Sequence, residues 1–180
     1  TGKTKWSLQV NNGGSPAGSG GTQYFIGRFD GHAFTADDRR IRWLDGGADE
    51  YAGVTWNNTA GRTVFIGWMN NWPAADSSIP SYTWRGGMTL PMELGLQKEN
   101  DSTEWVAKKP VRELRRIEQP VFTAGDISLT SGSWSRTFSP AQLGSAVIRL
   151  TADRHAAQQL TVSLRNDEGQ HVDIIYDRSL

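Results

Sequence analysis

The chain contains 180 residues, the size of one domain or two small ones, and its 19 Lys and Arg balance its 19 Asp and Glu at a formal net charge of 0. This balance argues against electrostatic binding to nucleic acid or to an anionic membrane. The absence of cysteine excludes a disulfide scaffold, a thiolate zinc site and a cysteine nucleophile. No apolar run approaches about 18 residues, so the sequence predicts no transmembrane helix, and its start does not resemble a signal peptide.

The first hundred residues predict a succession of short strands. The loop at 11–21 is rich in Gly, Ser and Pro, the loop at 71–80 is polar, and 82–90 reads as a loop followed by a strand. Asp30-Gly31 predicts a tight turn. Alternating, β-branched and aromatic residues predict strands at 4–10, 23–29, 32–35, 41–44, 51–56, 62–70, 94–98 and 103–107.

Residues 108–118 break the strand pattern. Val111, Leu114 and Ile117 fall on one helical face after Pro110, so we expect a short helix or an extended connector between two domains. The spacing of the strands that follow favours an antiparallel sandwich, and the predicted fold class is all-β. These later strands are predicted at 121–122, 126–129, 133–138, 146–151, 159–165 and 171–176.

Aromatic residues are concentrated before residue 106, and the stretch from Trp68 to Arg85 combines three Trp with Asn and Arg on predicted loops. Flat indole rings stack on the C–H faces of sugars, while amides and guanidinium groups hydrogen-bond sugar hydroxyls. A packed core would not require polar side chains such as Asn70 and Arg85 so close to the Trp. The stretch therefore indicates a carbohydrate site, with core packing of the Trp as the alternative.

Acidic residues that could act on such a ligand occur in two places. Asp37 and Asp38 lie in a charged turn and are expected to be solvated. Asp45, Asp49 and Glu50 lie in a loop that enters a strand, where they either face a cleft or have a structural role. The three His are far apart and share no ligand spacing, so the sequence predicts no metal site and no cofactor.

Several motifs resemble those of glycoside hydrolase family 32, from about residue 4 to 117, with levanases, exo-inulinases and other β-fructosidases as the best match. The most specific is Ile66-Gly67-Trp68-Met69-Asn70-Asn71-Trp72 followed by Trp84-Arg85-Gly86-Gly87-Met88-Thr89-Leu90-Pro91-Met92-Glu93-Leu94. Earlier matching motifs are Gly20 to Gly31, Phe34-Thr35, Trp43-Leu44-Asp45 and Asp49-Glu50-Tyr51-Ala52, in which Glu50 stands where the family usually has an aromatic residue.

The resemblance implies the last one or two blades of a five-bladed β-propeller, followed by part of a C-terminal β-sandwich. The expected boundaries are 1–107 for the propeller part, 108–118 for a linker and 119–180 for the partial sandwich. It implies retaining hydrolysis of β-fructosides by an Asp nucleophile and a Glu acid/base. The family motifs that carry these carboxylates are absent, so we expect them upstream of Thr1, and the chain to be an internal or C-terminal portion of a fructan hydrolase.

Within this portion the resemblance implies substrate contacts and no catalytic residue. Trp84 matches the Trp that packs on the innermost fructosyl unit, Asp49 and Tyr51 match a strand end lining the pocket, and Asp45 is placed towards the leaving group. The remaining expected contacts, at or beneath the pocket rim, are Trp68, Asn70 and Arg85.

Three readings remain open at this point. The chain is part of a β-fructosidase, a non-catalytic carbohydrate-binding protein, or a stand-alone enzyme that uses Asp45, Asp49 or Glu50. The first implies fructan or sucrose as substrate, the remaining propeller blades as partner, and a secreted or extracytoplasmic location. The sequence leaves open the choice among levan, inulin and sucrose, and between exo and endo action.

Overall fold

The computed structural model describes residues 4–100, 103–129, 132–153 and 157–179. The chain divides into two compact units, Thr1–Ile117 and Glu118–Leu180, called here the first and the second unit. Strands are the main regular structure of the first unit, and the predicted all-β class is confirmed. No helix in the described ranges combines the length and apolar character needed to cross a membrane.

The first unit contains two antiparallel sheets. In chain order its elements are β1 (Trp6–Asn12), β2 (Gly21–Phe29), β3 (Phe34–Ala36), β4 (Arg42–Trp43), β5 (Tyr51–Thr55), β6 (Thr63–Met69), α1 (Trp72–Ser77), β7 (Gly87–Met88), β8 (Met92–Asn100), β9 (Thr103–Pro110) and a 3-10 helix (Arg112–Arg116).

The first sheet is organised around β2, whose β-branched and aromatic residues are mostly buried. β1 pairs with one side of β2, and β3 and β4 pair with the other. The predicted turn between β2 and β3 is confirmed. The Asp30 carboxylate accepts the N–H groups of His32 and Ala33 at 2.8 Å, and Gly31 has a φ of 99°.

The second sheet has the order β5-β6-β8-β9, with β7 paired to the end of β6. The strands predicted at 94–98 and 103–107 correspond to β8 and β9, which pair as a hairpin whose turn at residues 101–102 lies outside the described residues. β9 continues to Pro110, three residues beyond the predicted strand, because Lys108, Lys109 and Pro110 still pair with β8.

The core of the first unit draws on both sheets. Tyr24, Ile26 and Leu44 come from the first sheet and the loop after it, and Phe65 and Leu94 come from the second. Phe65 is fully buried, and burial of a side chain of this size contributes about 1.5–3 kcal/mol. A hydrogen bond also joins the sheets, since the Val106 N–H donates to the Tyr24 hydroxyl at 3.2 Å.

The loop predicted at 71–80 is wrong in its first half, where α1 forms. The Asn71 side chain accepts the Ala74 N–H at 2.8 Å, and Pro73 lies in the first turn, where a missing N–H costs nothing. An amide cap followed by proline is a recognised start signal for a helix, and here it outweighs the polar composition of the segment.

The second unit contains a short helix, α2 (Pro140–Leu143), and a hairpin of β10 (Gln159–Arg165) and β11 (His171–Asp177). The hairpin confirms the last two predicted strands. The strands predicted at 121–122, 126–129, 133–138 and 146–151 are wrong, because these described residues pair with no neighbouring strand. An extended pattern forms a strand only where a second strand takes up its N–H and C=O groups.

Candidate functional site

Two strand ends meet at one end of the second sheet. β5 begins at Tyr51 and β6 ends at Met69, and the antiparallel register places Tyr51 opposite Trp68. Asp49 and Asn70 therefore lie just beyond the strands, on the same end of the sheet. We call this region, with the loop at 84–86 that joins it, the site end.

Asp49 is held by the helix that follows β6. Its carboxylate accepts a hydrogen bond from Asn71 Nδ2 at 2.6 Å, and the Oδ1 of the same Asn71 caps α1. The Asn71 side chain thus both orients Asp49 and caps the start of α1. Asp49 itself is exposed, so its carboxylate remains accessible to solvent.

Asn70 is almost fully buried, at 1% exposure. Its Oδ1 accepts the Asn71 N–H at 2.8 Å, whereas its Nδ2 has no hydrogen-bond partner among the described residues. A Cβ added at Gly86 would lie 2.7 Å from this nitrogen, so the backbone at 86 approaches it closely. A buried donor without a partner costs about 1–3 kcal/mol, and it is a group that a ligand could satisfy.

The loop at 84–86 is braced against β6 and α1. Trp68 Nε1 donates to the Arg85 carbonyl at 3.2 Å, and the Arg85 guanidinium donates to the Ala75 carbonyl in α1. The Trp68 ring lies 5.2 Å from the Trp72 ring at an interplanar angle of 57°. Trp68 and Arg85 are therefore engaged in holding this loop in place.

Trp84 precedes Arg85 in the braced loop, and 77% of it is exposed. Within the described part of the chain its indole makes no hydrogen bond and stacks on no other ring. An indole with a free face beside a fixed backbone is available to stack on a flat apolar surface of a ligand.

Tyr51 is positioned by an irregularity that the sequence did not reveal. The register of β5 shifts between Tyr51 and Val54, and Ala52 has a φ of 53°. Asn11 stabilises this bulge, because its Oδ1 accepts the Gly53 N–H at 3.0 Å. The Tyr51 ring packs on Gly20, where an added Cβ would lie only 2.4 Å from the ring.

A lysine from β9 contacts two of the acids in the loop before β5. Lys108 Nζ donates to Asp45 Oδ1 at 2.9 Å and to Glu50 Oε2 at 2.5 Å. Burial acts to raise the pKa of Asp45, but the hydrogen bonds from Lys108 and from the Gly47 N–H, with the Lys108 charge, outweigh it, so the pKa lies below its usual value. Nothing in the sequence pointed to Lys108.

The predicted site residues are thus connected in the structure. Asp49 is tied to Asn71, the chain neighbour of Asn70, and Tyr51 pairs with Trp68, which holds Arg85. Trp84 joins the group through its neighbour Arg85. No three His, Asp or Glu side chains within the described ranges are grouped as metal ligands would be.

Comparison with known proteins places these features in a family. A family model described as the N-terminal domain of glycosyl hydrolases family 32 matches residues 1–110. This match covers more than half of the chain. The chain belongs to family 32 of the glycosyl hydrolases, as its motifs indicated.

Relatives include a levanase of Bacillus subtilis, 32% identical over 97% of this chain and 26% of the relative. An extracellular exo-inulinase of Aspergillus niger is 36% identical over 83% of this chain and 28% of the relative. Invertase 1 of Saccharomyces cerevisiae is 33% identical over 74% of this chain and 24% of the relative. The chain spans about a quarter of the length of these curated relatives.

Solved structures agree with this grouping. A β-fructofuranosidase of Schwanniomyces occidentalis, complexed with fructosyl-erythritol, is 34% identical, with a TM-score of 0.55 over 62% of this chain and 22% of that chain. A fructofuranosidase structure from the same organism, complexed with fructose, has a TM-score of 0.65 over 99% of this chain and 38% of that chain. At 22% identity the second match supports the fold alone.

Proposed function

We propose that this chain is part of a retaining β-fructosidase that releases fructose from fructans, levan or inulin, or from sucrose. The chain supplies contacts to the fructosyl unit, and the catalytic carboxylates are supplied by residues outside it. Family membership and the names of the relatives support this proposal, as does the grouping of an exposed indole, an exposed carboxylate and a buried amide at the site end.

The proposed architecture follows the family. Residues 1–107 form the last part of a five-bladed propeller and 119–180 part of a β-sandwich, and the linker expected at 108–118 begins only after β9, which ends at Pro110. A location outside the cytoplasm is proposed as well, because exo-inulinases among the relatives are named extracellular.

In retaining glycosidases one carboxylate attacks the sugar and a second protonates the leaving group, at a separation of about 5–5.5 Å. The three candidate acids are already held by other side chains, since Asp45 and Glu50 share Lys108 and Asp49 is bonded to Asn71. These contacts support a binding role for Asp49 and weigh against the reading of a stand-alone enzyme.

Each proposed contact has a physical task. Trp84 stacks on the apolar face of the fructosyl ring, and Asp49 accepts hydroxyl protons. Asn70 lies beneath the pocket rim, where its buried Nδ2 lacks a partner within the described part of the chain and would reach a ligand oxygen only if the loop at 84–86 moved. Tyr51 lines the pocket, and Trp68 and Arg85 keep the Trp84 loop in position. The exposed indole of Trp84 beside this braced loop is the observation that carries the proposal.

Replacing Trp84 tests the assignment. In the complete enzyme Trp84→Ala is expected to lower kcat/KM on sucrose and on levan about 100-fold, because the sugar loses its platform and its alignment. Trp134→Ala is the matched control. Trp134 lies in the second unit and stacks on Phe122 with ring centroids 6.1 Å apart, so its loss should lower stability and leave kcat/KM unchanged.

The alternative functions are separated by the same assays. Unchanged kinetics in Trp84→Ala would contradict the pocket assignment. A complete protein that binds fructan and releases no fructose would instead favour a non-catalytic carbohydrate-binding protein. Release of fructose by the 180-residue chain alone would restore Asp45, Asp49 or Glu50 as catalytic candidates.

A further inference from the structure

One ammonium group joins three separate parts of the first unit. Lys108 lies near the end of β9, Asp45 follows β4, and Glu50 immediately precedes β5. Asp45 and Glu50 therefore stand at the two ends of the loop 45–50, and Lys108 Nζ contacts both carboxylates, at 2.9 Å and 2.5 Å. We call these three residues the Lys108 bridge.

The bridge has a buried component that depends on the lysine. Glu50 is 4% exposed, and its second oxygen, Oε1, is buried without a hydrogen-bond partner in the described part of the chain. Among the described residues, Lys108 Nζ is the cation that contacts this carboxylate. Removing one partner of a buried ion pair destabilises the folded protein, because the remaining charge is left uncompensated. The buried position of Glu50 therefore depends on Lys108.

Glu50 is also the chain neighbour of two proposed pocket residues, Asp49 and Tyr51. The three make different contacts. A Cβ at Gly67 would lie 3.1 Å from Glu50 Cγ, whereas the Tyr51 ring packs on Gly20 and Asp49 is bonded to Asn71. Because Lys108 holds the Glu50 side chain in place, it also limits the movement of Asp49 and Tyr51, the chain neighbours of Glu50.

We propose that Lys108 is a positioning residue of the fructosyl pocket, which holds Asp49 and Tyr51 in place by bridging Asp45 and Glu50. The inference rests on the proposed function, and Lys108 itself contacts no substrate. Its removal should weaken binding of the fructosyl unit beyond what the loss of stability alone would cause.

The chain contains a matched control at the opposite end of β6. Arg62 is also a single cation between two carboxylates, with Glu93 at 3.3 Å and Glu113 at 3.0 Å. Arg62 precedes the seven-residue strand Thr63–Met69, so it lies about 20 Å along β6 from the site end. Its loss should affect stability without reaching the pocket.

The experiment compares Lys108→Met with Arg62→Met in the complete enzyme, by KM and kcat on sucrose and by thermal unfolding. Both variants should unfold at lower temperature, but only Lys108→Met should raise KM, by about tenfold, with a smaller change in kcat. Lys108→Arg should restore most of the KM, because a guanidinium can still contact both carboxylates. Glu50→Gln/Lys108→Met, which removes the uncompensated charge, should regain stability and keep the raised KM.

Two results would overturn the inference. One is an unchanged KM in a folded Lys108→Met or in the double variant. The other is an equal rise in KM in Arg62→Met. If the wild-type enzyme hydrolyses no fructoside, the proposed function fails by itself. Amide hydrogen exchange over residues 45–51 then decides the positioning role, with faster exchange expected in Lys108→Met and not in Arg62→Met.

Discussion

In the first unit Phe65 is fully buried between residues of two sheets, whereas in the second unit Ile174 and Ile175 of the β10–β11 hairpin are 63% and 57% exposed. Both segments contain β-branched and aromatic residues of the kind that favours strands. The two segments differ in what covers them. A second sheet packs against β6, whereas the described residues of the second unit include no second sheet that could cover the hairpin. Strand pairing alone does not create a core, because each sheet face needs a partner layer.

The largest expected difference between the units is in the cost of removing an apolar side chain. Phe65→Ala should lower the free energy of unfolding of the first unit by about 3–5 kcal/mol, because the cavity forms in a closed core. Ile175→Ala in the second unit should change it by no more than about 0.5 kcal/mol. Urea denaturation with residue-resolved hydrogen exchange measures both, and similar losses at the two positions would show that the hairpin is covered in solution.

The next largest expected difference between the units is in the effect of replacing a glycine. Gly86 and Gly169 have φ of 75° and 82°, so alanine at either position adopts a left-handed backbone at a cost of about 1–2 kcal/mol. At Gly86 the new Cβ would also meet Asn70 and Trp68 at 2.7 and 2.8 Å, while nothing lies within 4 Å at Gly169.

Gly86→Ala is therefore expected to be the more destabilising of the two in thermal unfolding, and also to lower kcat/KM on sucrose through displacement of Asn70. Gly169→Ala should leave kcat/KM at the wild-type value. Equal shifts in melting temperature would mean that the Asn70 and Trp68 side chains can move aside at little cost. The close packing at the site end would then not restrict the residue at position 86.

The smallest expected difference is in acid sensitivity. Hydrogen bonds from Arg42 hold the pKa of Asp38 far below its usual range, with Arg40 contributing. In the second unit the hydroxyl and N–H groups of Ser179 lower the pKa of Asp177. A carboxyl group with a depressed pKa in the folded state contributes stability above its unfolded pKa of about 3.9 and loses it as pH falls towards the folded value.

Melting temperatures recorded from pH 6 down to about pH 2 should therefore fall below about pH 4, as these carboxylates take up protons. Asp38→Asn should flatten this dependence, by an amount below about 1 kcal/mol, because the pair lies near the surface. Asp177→Asn should alter it less. A steeper dependence in Asp38→Asn would contradict the ion pair with Arg42.

Local sequence predicted those parts of the fold whose partners are close in the chain. β2, the Asp30-Gly31 turn and the β8–β9 hairpin belong to this group, because alternation and turn residues determine them. The start of α1 also has a local signal in Asn71 and Pro73, although the polar composition of the segment predicts a loop. The strands predicted between 121 and 151 failed because composition cannot show whether a pairing strand is available.

The candidate site shows the same division. Trp68, Asn70, Trp84 and Arg85 lie within 18 residues, and their motif was visible. Lys108 was missed because it meets Asp45 and Glu50 across 63 and 58 residues. For the same reason the sequence leaves open whether Glu50 faces a cleft or has a structural role, and the structure shows that it is buried. Contacts of this separation depend on how the sheets stack, which local patterns do not encode.

The hydrogen bond from Val106 to Tyr24 has a consequence for self-association. β9 is the outermost strand of its sheet, and free N–H groups on such a strand can template pairing with a second molecule. Tyr24 occupies one of these groups, Pro110 carries none, and Lys109 adds an exposed charge. The strand that bears Lys108 is thus also blunted against intermolecular β-pairing, so substitutions that free the Val106 amide carry a risk of aggregation.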